Sequence, residues 1–77
     1  MALSCKTVLE RLQAAESSSR PVRLTFFGGD KVVCASIKYR PREVEDVCSH
    51  QFRAVGPDGL TFGRFIGSIS HITILDP

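Results

Sequence analysis

Cys48-Ser49-His50 is the first stretch of this chain that could do chemistry. It sets a thiol and an imidazole two positions apart, and an extended strand would turn both to one face, as a pair of metal ligands or reactive groups requires. No third or fourth ligand accompanies them at a matching spacing, and His71 stands alone, so no metal site is expected. Glu43, Glu45 and Asp46 crowd one segment and invite comparison with an acid–base set. No apolar pocket is suggested there to drive their pKa values apart, and a solvated acidic loop is expected. Gly28-Gly29 lacks the following helix and the Lys-Ser/Thr pair of a phosphate loop, and reads as a turn. No enzyme activity and no cofactor are expected from these residues.

The basic residues carry a stronger suggestion. If Val22, Leu24, Val33, Ile37, Phe52 and Ala54 point inward on strands, then Arg23, Lys38 and Arg53 point outward, with Arg40, Arg42 and Arg64 near strand ends. Such a patch suits phosphates or an acidic protein surface, although charged residues also occupy the solvent face of any half-buried sheet. Phe27, in the outward register beside the glycine turn, and Tyr39, before Arg40-Pro41-Arg42, are the aromatic side chains placed to stack on bases. Phe26, Phe52, Phe62 and Phe65 are expected in the core.

The elements that must position these residues follow from periodicity. Residues 4–16 place Cys5, Val8, Leu9 and Leu12 on one helical stripe, with Ser4 as N-cap or Thr7 opening a capping box one turn later. Ser17-Ser18-Ser19 is expected to break the helix. From residue 21 to residue 75 the pattern is that of strands. Val22 to Phe27 turns at Gly28-Gly29-Asp30 into one long strand, Lys31 to Tyr39; residues 40–49 read as a charged loop or a single helical turn. His50 to Val55 then pairs across Gly56-Pro57-Asp58-Gly59 with the run from Leu60. Gly63 suggests a bulge that turns Phe62 and Phe65 toward the same interior, and Ile69 to Leu75 forms the last strand.

The expected fold is mainly β: a single domain over residues 1–77, built as a small, strongly bent antiparallel SH3/Sm-like barrel of about five strands with an N-terminal α-helix. A flat sheet covered by the helix is the main alternative, and an OB-type barrel the next. Apolar residues at 43% and charged residues at 23% fit an ordinary globular domain, and a formal charge of +2 indicates nucleic acid only where the positive residues cluster. Cys5, Cys34 and Cys48 are odd in number and widely spaced, so reduced, buried thiols are expected. The N-terminus has no long apolar h-region and no run approaches a membrane span, which makes a cytoplasmic location the default.

Val22-Arg23-Leu24-Thr25-Phe26-Phe27-Gly28-Gly29-Asp30-Lys31 and Phe62-Gly63-Arg64-Phe65-Ile66-Gly67-Ser68-Ile69-Ser70-His71, behind a leading helix, resemble the bacterial Sm-like barrels of the Rof type, the Rho-binding antiterminators. The segment from Phe52 to Ile72 is also similar to the closing strands of WYL-type ligand-sensing domains. The Rof resemblance implies regulation of transcription termination through contact with the RNA-translocating helicase Rho, without catalysis. That family presents an acidic surface to a basic RNA site, and here only Glu43, Glu45 and Asp46 offer a local acidic patch. The expected function is a non-enzymatic regulatory module that binds RNA or a nucleic-acid-processing protein. The alternative is a protein-interaction or homo-oligomerisation module with no nucleic-acid role.

Overall fold

The computed structural model describes residues 3–76: one helix, six strands and two 3-10 turns. The helix α1 (Cys5–Ser18) starts where Ser4 Oγ accepts the Thr7 backbone N–H at 3.2 Å, so the first of the two candidate caps is used. It runs two residues past the expected end because Ser18 Oγ bonds back to the Ala15 carbonyl and Ser19 closes the helix in the left-handed conformation, φ 57°. Val8, Leu12 and Ala15 are its buried stripe.

The strands are β1 (Val22–Phe26), β2 (Lys31–Cys34), β3 (Ser36–Arg40), β4 (Gln51–Val55), β5 (Thr61–Phe65) and β6 (Ile69–Ile74). They form two antiparallel three-stranded sheets, ordered β2-β1-β6 and β3-β4-β5. The expected barrel of about five strands is corrected here: there are six strands, and the two sheets are not closed into a barrel.

The physical cause of the split lies at Ala35. A single strand from Lys31 to Tyr39 would send Val33, Ala35, Ile37 and Tyr39 to one face. Instead Cys34 is buried on β2 and Ile37 on β3, three positions apart, so the bend at Ala35 reverses the phase of alternation. Val33 therefore faces outward and is 44% exposed, contrary to its expected place in the core. Each half of the bent run joins a different sheet, and the Ala35 N–H continues the second ladder by bonding the Val55 carbonyl at 2.8 Å.

Gly63 makes no bulge: β4 and β5 keep an unbroken register from Gln51↔Phe65 to Val55↔Thr61. The irregularity sits between β1 and β6, where Thr25 pairs with His71 but Phe26 pairs with Ile69, leaving Ser70 as the extra residue. Its hydroxyl turns inward and donates to the Thr25 carbonyl at 3.1 Å, so this buried polar group is satisfied.

The two inner faces meet in one core. Val22, Leu24, Cys34, Ile69 and Ile72 come from one sheet, Ile37, Phe52 and Ala54 from the other, Ile66 from the connection before β6, and Val8, Leu12 and Ala15 from α1. Phe62 meets Phe52 edge to face, with centroids 6.5 Å apart.

The cysteine expectation is also corrected. Cys5, at the first turn of α1, is disulfide-bonded to Cys48 in the 3-10 turn Val47–Ser49, with Cα atoms 5.3 Å apart. Among the described residues the free thiol is Cys34, and burial raises its pKa above the ordinary value. The bond ties helix to loop beside the second 3-10 turn (Ile66–Ser68), whose Gly67 approaches Cys48 so closely that a Cβ there would stand 3.1 Å from the Cys48 Cβ and carbonyl. Among the described residues no helix is long and apolar enough to cross a membrane.

Candidate nucleic-acid interface

The sheet β3-β4-β5 packs one face on the core and leaves the other in solvent, so strand alternation alone decides which side chains it displays. Its ladders place three rows on the outer face: Ser36, Val55 and Thr61; then Lys38, Arg53 and Gly63; then Arg40, Gln51 and Phe65. Lys38, Arg40 and Arg53 are all exposed, and Lys38 stands directly opposite Arg53. A like-charged cross-strand pair opposes folding modestly. Among the described residues the salt bridge is Arg20 with Asp76, so no carboxylate neutralises this cluster through an ion pair. The same three basic residues line a shallow groove of about 480 Å³ with Glu16, Ser36 and Thr61. Glu16 belongs to α1, and its Oε1 accepts the Tyr39 backbone N–H at 2.9 Å, which anchors the helix to β3.

Gly63 contributes an absence. Its position is on the outer face between Thr61 and Phe65 and beside Arg53, so no side chain projects there and the Arg53 stem lies alongside, its Cγ 4.0 Å from where a Cβ would stand. Phe65, expected in the core, is 47% exposed at the end of this face. Outward parity from Gly63 fixes its side, a signal that the sequence held but that the supposed bulge obscured.

The remaining predicted residues lie elsewhere. Arg23 is exposed on the outer face of the other sheet, in a row with Val33 and Thr73. Phe27, 59% exposed, is at the tip of the β1–β2 turn, where its N–H bonds the Ser68 carbonyl. Arg64 pairs in register with buried Phe52 and so belongs to the inner face; its guanidinium carbon lies 5.6 Å from the centre of the Phe26 ring, covering the seam between the sheets. Arg53 and Arg64, expected to share a face, are thus on opposite sides of the sheet. Arg42, Glu43 and Glu45 are exposed in the loop after β3. Asp46 instead caps the 3-10 turn, accepting the Cys48 N–H at 3.0 Å and the Ser49 hydroxyl at 3.3 Å.

Tyr39 and His50 are engaged with each other. Their rings stack on each other 5.8 Å apart, and the Tyr39 hydroxyl bonds His50 Nδ1. His50 Nε2 lies 2.8 Å from the Val44 carbonyl, which can only accept, so Nε2 donates; in the neutral ring Nδ1 then accepts from the tyrosine. With Cys48 in the disulfide, the Cys48-Ser49-His50 segment pins the loop.

The arrangement defines an antiparallel two-sheet domain with one basic, solvent-facing sheet. No family model matches the chain, and no solved structure matches it. The DNA repair protein XRCC1 of Homo sapiens, and that of Cricetulus griseus, is 41% identical to it over 51 residues, which is 66% of this chain and 8% of the relative. The chain thus spans 8% of the length of the curated relatives it matches.

Proposed function

We propose that the chain is a non-enzymatic binding module that takes single-stranded nucleic acid, RNA above all, on the outer face of β3-β4-β5. The observation that carries this reading is the juxtaposition of Lys38 and Arg53, exposed and in register, with Arg40 two residues along the same strand. Phosphates of an extended strand would relieve the repulsion between them. The fold belongs to the same reading: a strand bent at Ala35 serves both sheets and the last strand returns to the first, an open relative of the SH3/Sm-like barrels. The partial likeness to a DNA repair protein is compatible with a nucleic-acid partner.

The test is a titration of a labelled oligouridylate, and of its oligothymidylate counterpart, by fluorescence anisotropy. With three phosphate contacts the logarithm of affinity falls against the logarithm of salt with a slope of about −2.1, so raising salt from about 25 to about 200 mM weakens binding roughly 80-fold. Replacing Lys38, Arg40 and Arg53 together by Ala, with the fold verified by circular dichroism, removes the binding. Absence of binding at the lower salt overturns the proposal.

A protein partner is the second reading, favoured by one observation: the loop bearing Glu43 and Glu45 is exposed and held in place by the disulfide and by the His50 bond to Val44. The resemblance to Rof suggests the termination factor Rho as that partner. Co-purification that survives nuclease treatment and is lost in a Glu43→Lys, Glu45→Lys variant supports it over the first reading.

A further inference from the structure

We infer that Phe65 is a base-stacking platform, so that the basic sheet face selects single strands with bases over bare polyanions. The inference rests on the reading of this face as a nucleic-acid site and assigns one residue its own role. An aromatic ring left 47% exposed loses part of the stabilisation that burial would supply. Phe52 and Phe62 are in the core, Phe26 lies beneath Arg64 and Tyr39 on His50; Phe27 is also exposed, but at the tip of a turn on the opposite sheet, away from the cluster of Lys38, Arg40 and Arg53.

Position makes Phe65 more than an exposed hydrophobe. It ends β5 in the row of Gln51 and Arg40, diagonal to Arg53 across the bare Gly63. Neighbouring strands are about 4.8 Å apart and same-face residues about 6.6 Å apart along a strand, so the backbone positions of Arg53 and Arg40 lie about 8 Å and about 10 Å from that of Phe65. A base can settle on Phe65 with nothing projecting from Gly63 to obstruct it, while the adjoining phosphates face Arg53 and Arg40. Gln51, between the ring and Arg40, offers an amide to a base edge. A duplex keeps its bases stacked inside and cannot use the platform.

Two ligands separate this inference from the one beneath it: an oligothymidylate and an abasic strand of the same length, both followed by anisotropy at fixed low salt. Phe65→Ala lowers affinity for the oligothymidylate about 5- to 150-fold, the loss of one stacked base, and leaves the salt slope and the abasic affinity unchanged. Phe65→Tyr restores binding. Because the ring is on the surface, circular dichroism should report the same fold for both variants. If Phe65→Ala binds the oligothymidylate as well as the parent does, or weakens both ligands equally, the stacking role is overturned while the phosphate site stands. If the parent protein binds neither ligand, both readings fall.

Discussion

Lys38→Glu should make the free protein more stable and the complex weaker. The substituted carboxylate would stand directly opposite Arg53, turning a repulsive cross-strand pair into an attractive one on an exposed antiparallel ladder. Each such pair is worth roughly 0.2–1 kcal/mol, so the swing from like to unlike charge stabilises the domain by about that amount or somewhat more at low salt. For a chain of this length 1 kcal/mol moves the melting temperature by about 4–8 °C, and a rise of several degrees is expected in differential scanning calorimetry. The same substitution deletes one phosphate contact, so the salt slope for oligouridylate falls from about −2.1 to about −1.4 or less, and affinity at about 25 mM salt drops by at least tenfold. The two effects have opposite signs, which a merely structural role for Lys38 does not produce. A variant that melts lower and binds as tightly as the parent refutes the argument.

Three further outcomes test the account of stability. Reducing the Cys5–Cys48 bond, or replacing both residues by Ser, releases a loop spanning a sequence separation of 43 and should cost up to about 4 kcal/mol on chain-entropy grounds, read as a large fall in melting temperature with reductant. Cys34 should be silent to thiol reagents in the native protein and give one thiol per chain after denaturation. Its pKa is raised in the folded state, so the stability tied to its neutral form is present below the unfolded pKa and declines as pH rises through the folded one; alkaline melting curves of Cys34→Ala and parent should converge in that direction. Gly67→Ala forces a methyl against Cys48 at 3.1 Å between the two 3-10 turns, and should lose roughly 1–3 kcal/mol by urea titration.

Much of the local structure was legible because short-range rules decide it. The Ser4 cap, the turn at Gly28-Gly29 with φ of 103° and 98°, and the hairpin at Gly56 to Gly59, where Asp58 Oδ1 accepts the Leu60 N–H at 3.0 Å, all follow from the residues in place. The N-terminal helix and mainly β character followed from period. What failed depended on contacts far apart in sequence. Nothing between Lys31 and Tyr39 signals that Ala35 will bend, because the bend is imposed by two different sheets claiming the two halves of the run. Ser70, not a glycine, takes the bulge, since its hydroxyl finds the Thr25 carbonyl only in the folded sheet. Cysteine spacing could not pair Cys5 with Cys48, which the packing of helix on loop brings together.

The candidate site was half legible for the same reason. Outward parity correctly placed Lys38 and Arg53, and the register then added what parity alone could not, that they are direct neighbours. Arg64 was misplaced because the imagined bulge at Gly63 shifted the phase of β5, and the same error hid Phe65 in the core. Tyr39 was open to a stacking role on sequence grounds, and in the fold His50 engages its ring and its hydroxyl.

The most direct test of the central claim is amide chemical-shift mapping of the isotope-labelled protein titrated with a short oligouridylate at low salt. Perturbations should concentrate on Lys38, Arg40, Gln51, Arg53, Gly63 and Phe65, and spare Arg23, Thr73 and the Arg42 to Glu45 loop. Shifts centred on that loop or on the outer face of β2-β1-β6, or no shifts at saturating oligonucleotide, would contradict that claim.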